Sequence, residues 1–234
     1  MAPTMATRRW VTFDCFGTLV DWRHGIATSA ELLFPGHGTE VLERYHVHEL
    51  DVEQAAPTMR YRDVLTETLR RATRDLGLSL RDDDATILAD TIAYWPPFPE
   101  VAEELGALRA AGWRLALLTN CDRDIIGATQ RRLGVDIDAV VTAEHVGSYK
   151  PAHGHFERFR WSFQPDQWVH VAQSYLHDMR PARELGITRV WINRLDEPDD
   201  PSICDAVLPD LRGLLTTVER VAHDASAAGE AAAG

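Results

Sequence analysis

Cysteine is scarce in this chain. Three occur in 234 residues, Cys15, Cys121 and Cys204, and none form a CxxC pair. An odd, scattered set fits a reducing compartment better than a disulfide framework, so a cytoplasmic protein is expected. Long apolar runs are also missing. None approaches the ~18 residues that a membrane span needs, so no span is expected. The opening MAPTMATRRW lacks the apolar stretch of a signal peptide. Positive charge is in deficit: 24 Lys and Arg stand against 36 Asp and Glu, a net charge of −12. That balance argues against nucleic acid or an anionic membrane as a partner. It does not exclude a small anionic substrate, because a local field can oppose the global one.

Core-forming residues are plentiful. The apolar fraction is 45% and seven tryptophans are present, enough for a sizeable interior. The length suits one large domain, or a core of ~150 residues with an insertion. RWVTFD (9–14) reads as a short buried strand with Asp14 at its C-terminal end, and CFGTLVDW as a turn. Residues 23–95 read as helical: HGTEVLERYHVHELDVEQ and MRYRDVLTETLRRATRDLG carry apolar positions at three- and four-residue spacing. Arg81–Asp84 reads as a solvated turn, and DATILADTIAYW as a further helix. WPPFPEV then breaks the helical block. Beyond it, helices alternate with the apolar strands RLALLTN, AVVT, WVHVAQS and ITRVWINR. This order predicts an α/β fold: a doubly wound parallel sheet with an inserted helical cap. The expected core is 8–21 and 97–222, the cap 22–96, and residues 1–7 and 223–234 are expected to be flexible tails.

Several polar groups should converge at one edge of such a sheet: Asp14, Thr119–Asn120, the loop Gln173–Asp178, and Lys150 in GSYKPAHGHF. FDCFGTLVD, LLTN, SYKP and VAQSYLHDMRPARELG, in that order, resemble the haloacid dehalogenase superfamily from Arg9 to about Val221. LLFPGHG, WPPFPEV and VWINR make the 2-haloacid dehalogenase branch the nearest resemblance. The resemblance implies a Rossmann-like sheet and a hydrolase in which Asp14 attacks carbon and forms an ester. It also implies a small 2-substituted carboxylic acid as substrate, no cofactor and no metal. A homodimer is compatible with it, dimers being common in the family.

The residues support this chemistry. A carboxylate is a weak nucleophile and needs positioning and a dry site. Lys150 would orient Asp14 and keep it ionised. Backbone N–H groups of Cys15 and Phe16 could hold an anion. Thr119 could donate to the substrate carboxylate or to Asp14, and Asn120 could face the leaving group. Asp178 could activate the hydrolytic water or cap the helix that follows it. Gln173, Ser174 and Tyr175 are expected to contact ligand or to close their own loop.

Two departures weigh against a magnesium-dependent phosphatase. Phe16 stands where phosphatase relatives carry a proton-donating aspartate, and Gln173 replaces a metal-binding carboxylate. A third departure concerns the leaving group. Haloacid dehalogenases hold the halide with a cap arginine; counting from the FPG turn, that position is His46. Leu42, His46 and Leu50 form one stripe, while Arg44 and His48 lie on another. His46 is therefore expected to point inward, with a charge that fades near neutral pH. The substitution leaves open a second activity, ring opening of azetidine-2-carboxylate, whose leaving amine stays attached to the product. A non-catalytic binding protein on the same scaffold is the remaining alternative.

Overall fold

The computed structural model describes residues 7–233. Strand β1 (Arg9–Phe13) is followed by helices α1 (Trp22–Leu33), α2 (Gly38–Ala55), α3 (Tyr61–Asp75) and α4 (Ile87–Thr91). The chain continues through α5 (Val101–Ala110), β2 (Arg114–Thr119), α6 (Arg123–Gln130), β3 (Ala139–Thr142), α7 (Ala143–Val146) and α8 (Gly154–Phe163). β4 (Gln167–Ala172), α9 (Arg180–Glu184), β5 (Thr188–Ile192), β6 (Ala206–Leu208) and α10 (Leu214–Ala233) complete it.

The six strands form one parallel sheet in the order β3-β2-β1-β4-β5-β6. Central strands are mostly apolar because helices cover both faces, with Thr12 of β1 and His170 of β4 the buried polar exceptions. Val11 and Phe13 of β1, Leu115 and Leu117 of β2, and Val169 and Val171 of β4 are fully buried. β1 is flanked by β2 on one side and β4 on the other. The winding direction reverses there, which opens a crevice at the strand C-termini. Asp14 is the first residue beyond β1.

The helical segment α1–α4 leaves and rejoins the sheet at neighbouring points. Asp21 N–H donates to Pro96 O at 2.9 Å, and Phe98 N–H donates to Leu19 O at 2.9 Å. Val20 bridges both Phe16 and Pro97. Apolar contact continues across this junction: Ile26, Ala30, Tyr45 and Leu65 share a buried cluster with Val11, Phe13 and Leu117.

Two local expectations differ from what is found. DATILADTIAYW is not one helix: α4 has five residues, and a 3₁₀ turn at Ile92–Tyr94 follows. The Thr91 hydroxyl bonds back to Ile87 O at 2.7 Å and meets Ser29 Oγ at 2.8 Å, which competes with helical continuation before Pro96. The C-terminal segment expected to be flexible continues α10 to Ala233. Its alanines favour helix, and Arg220 lies 3.6 Å from Asp224 one turn on. Residues 1–6 of the other expected tail lie outside the described residues. Among the described residues no helix is long and apolar enough to cross a membrane.

Candidate active site

A cavity of about 400 Å³ lies between the strand C-termini and the inner face of α2. Asp14 is at its floor, 8% exposed. One carboxylate oxygen, Oδ1, accepts from Lys150 Nζ at 2.9 Å; the other accepts from the Thr18 hydroxyl at 3.1 Å. Gly17, in the turn between them, has φ +102°, and a Cβ there would lie 2.9 Å from Gln173 Oε1. Only glycine suits this turn, which carries Thr18 back over the carboxylate.

Lys150 is 2% exposed and spends all three ammonium protons. It donates to Asp14 Oδ1, to Asp178 Oδ1 at 2.7 Å and to Leu118 O at 2.9 Å. Burial alone would lower its pKa, but the two carboxylates outweigh burial and hold it above the ordinary lysine value. Asp178 shows the converse: burial would raise it, but Lys150 and His170 bring it down to about 2. Asp14 remains raised, because burial and the Asp178 charge exceed the pull of Lys150. One cation serves two carboxylates, at 2.7 Å from Asp178 and 2.9 Å from Asp14.

Asp178 is supported from beneath. Trp168 Nε1 donates to Thr12 Oγ1 at 2.8 Å, Thr12 Oγ1 meets His170 Nδ1 at 2.8 Å, and His170 Nε2 lies 3.0 Å from Asp178 Oδ1. This order of donors puts the ring proton on Nε2, aimed at the carboxylate. Asp178 Oδ2 is buried with no partner. Asp178 does not cap the helix after it. It sits inside a single π turn at Tyr175–Met179, which Ser174 caps with Oγ accepting from His177 N–H at 3.1 Å, and α9 then starts at Arg180 with no side-chain cap.

The other expected site residues divide. Thr119, Asn120, Phe16, His46, Gln173, Ser174 and Tyr175 all line the cavity. Asn120 is turned to a task other than the leaving group: Oδ1 accepts from Lys150 N–H at 2.8 Å and Nδ2 donates to Lys150 O at 3.3 Å, so it clamps the lysine's backbone. Thr119 Oγ1 accepts a long bond, 3.4 Å, from Cys121 N–H. Cys15 is absent from the lining; its thiol is wholly buried and its backbone N–H is directed at the Asp14 carboxylate, not at an anion in the cavity. Gln173 N–H donates to Thr18 Oγ1 at 2.9 Å and its amide to Glu197 Oε1 at 3.2 Å. The Tyr175 hydroxyl is committed to Asp200 O at 3.0 Å. His46 does face the cavity, with its ring 5.7 Å from that of Trp22. Burial and then Arg23 lower its pKa, so it is neutral at pH 7.

Sequence reasoning missed Thr18, His170, His177, Glu49 and Glu53. His170 pairs in register with Thr12 on the neighbouring strand, and two polar residues at matched positions of buried strands were a usable signal. Glu49 and Glu53 follow Tyr45 at four-residue intervals, so they share the buried face that Tyr45 marks. Two acids on a charged helix read as solvated residues unless that face is known.

Sheet order, inserted helices and a carboxylate–lysine–carboxylate cluster at the strand tips define a hydrolase with an aspartate at its centre. The chain belongs to the haloacid dehalogenase-like hydrolase family, whose model matches residues 9–176. It is similar to the (S)-2-haloacid dehalogenase of Pseudomonas sp. (strain YL), 28% identical over 191 residues, 79% of this chain and 82% of the relative. The (S)-2-haloacid dehalogenase 1 of Pseudomonas sp. (strain CBS-3) is 28% identical over 202 residues, 83% of this chain and 88% of that one. Among solved structures, the L-2-haloacid dehalogenase RSc1362 superposes with a TM-score of 0.79 at 28% identity, over 92% of this chain and all of that one.

Proposed function

We propose that this protein hydrolyses a small 2-substituted carboxylic acid at carbon, with 2-haloacids the leading substrate class. The observation that carries the reading is the setting of Asp14: a buried carboxylate at the sheet crevice, fixed by Lys150 and Thr18, beneath a cavity of small-molecule size. In this reading an Asp14 oxygen displaces the halide from C2 and forms an aspartyl ester. Water then adds to the ester carbonyl carbon, the acyl–oxygen bond breaks, and a 2-hydroxy acid leaves. Asp178 orients that water through its free Oδ2, while Lys150 holds both carboxylates in place. Thr119, which lines the cavity at the tip of β2, donates to the substrate carboxylate in this reading. Asn120, Gln173, Ser174 and Tyr175 act by fixing the loops around the cavity. The 2-haloacid dehalogenase relatives support the substrate class.

A magnesium-dependent phosphatase fits poorly. Phe16 offers no proton to a leaving oxygen, Gln173 bonds Glu197, and no group of three or more His, Cys, Asp or Glu among the described residues is arranged to hold a metal. Azetidine-2-carboxylate hydrolysis is the second reading. It is favoured by the cavity lining, which contains His46 and no arginine to hold a halide. A cytoplasmic setting and a homodimer belong to the same proposal.

Incubation with each enantiomer of 2-chloropropionate should release chloride, and one turnover in oxygen-18 water should place label in Asp14. If neither chloride nor label appears in folded protein, while azetidine-2-carboxylate yields a hydroxy amino acid, the second reading replaces the first.

A further inference from the structure

The inner face of α2 presents two carboxylates to the cavity that no dehalogenation step uses. We propose that Glu49 and Glu53 form a subsite for an ammonium group, so that the preferred substrate carries an amine in addition to its carboxylate and leaving group. The amine-bearing substrate rests on the reading above; the subsite itself is a property of α2 and its neighbours.

Glu49 is anchored on one side only. Its Oε1 accepts from the Tyr45 hydroxyl at 3.1 Å and the Tyr61 hydroxyl at 3.3 Å, which aims the remaining oxygen at the cavity that Glu49 lines. Glu53, one turn on, is 4% exposed. Its Oε1 has a marginal contact with Asn120 Nδ2 at 3.5 Å, and its Oε2 is buried with no hydrogen-bond partner. His177 Nε2 lies 3.6 Å from that oxygen and is likewise buried without a partner. At 3.6 Å the two atoms are beyond hydrogen-bond reach of each other, and burial, which holds His177 down at about 4, keeps its charge from Glu53. Unpaired buried acceptors are costly, and a wall that keeps them has use for a donor.

Among the described residues that line the cavity, none supplies a free cation here. Lys150 has spent its three protons, and His46 and His177 are neutral at pH 7. Burial pushes both glutamates up, Glu49 to about 7, and each feels the charge of Asp14. A guest cation would relieve all of these strains. An ammonium needs two or three acceptors, which the free oxygens of Glu49 and Glu53 provide. A hard divalent ion takes six or more oxygens, and this wall does not offer them.

Calorimetric titration of the whole protein at about pH 8 tests the assignment, with β-alanine and γ-aminobutyrate compared against propionate and butyrate. At least one amino acid should bind about tenfold tighter than its parent acid, the worth of one or two charge-assisted hydrogen bonds. In Glu49→Gln and Glu53→Gln the preference should fall below about twofold. Equal binding of amino and parent acids by the unaltered protein overturns the proposal, as does heat from neither kind. A preference that survives both substitutions does so too. So does stoichiometric binding of magnesium or calcium alone that displaces the amino acid. Chloride release from 2-chloropropionate is scored separately, so loss of the dehalogenase reading and loss of the ammonium subsite are distinct results.

Discussion

Lys150 is the residue on which the site turns. Its three protons reach Asp14, Asp178 and a backbone carbonyl, so none is left for a substrate. It therefore acts as a spacer that lets two buried carboxylates stand side by side. In Lys150→Met the two would repel, and one would take up a proton. Turnover should drop by about a hundredfold or more, the usual cost of losing one preorganised charge. Unfolding free energy should drop by about 3 kcal/mol as well, because the remaining charges are left buried and unpaired. Halide assays and urea denaturation would measure both; turnover within about tenfold of the parent would refute the spacer role. Asp14, Lys150 and Asp178 were legible in the sequence because each sits in a motif, at a strand end or before a helix. Glu49, Glu53 and His170 were not. Their chemistry depends on which face is buried, and a helix of mixed charge does not announce that.

At the scale of elements, the strands were readable and the short helices less so. β2 is a nearly unbroken apolar run, and β1, β4 and β5 carry short apolar stretches, as a sheet covered on both faces requires. α4 was overextended because its threonine hydroxyl competes with helical bonding, and the end of α10 was underestimated because helix there needs only alanine, not a core. The turn after β1 is the most demanding element. Gly17→Ala would place a methyl group 2.9 Å from Gln173 Oε1 at a φ of +102°. A stability loss of about 1 kcal/mol or more is expected in urea titration. A loss of turnover should accompany it, because Thr18 and Gln173 shift together with the Asp14 carboxylate. An alanine variant with unchanged midpoint and turnover would show that the turn has slack.

At the scale of the molecule, charge sets the approach of substrate. The chain carries −12, and the cavity lining includes Asp51 and Asp199 besides the two central aspartates. An anionic haloacid must diffuse against that field. Raising ionic strength from about 0.02 to about 0.2 M with sodium sulfate should screen the repulsion and lower KM for 2-chloropropionate, by about twofold, with little change in kcat. A KM that rises with salt would mean that a local positive field dominates approach.

The paired crossings at Asp21–Pro96 and Leu19–Phe98 have an evolutionary corollary. The backbone steps off the sheet and returns to nearly the same spot, so the segment in between could in principle be exchanged as one piece. Selectivity can be rewritten by exchanging that segment while the nucleophile's scaffold stays continuous. The constraint is its underside: any replacement must continue the buried apolar cluster shared with the sheet and present backbone N–H groups to Asp122, as Tyr61 and Arg62 do at 3.1 Å.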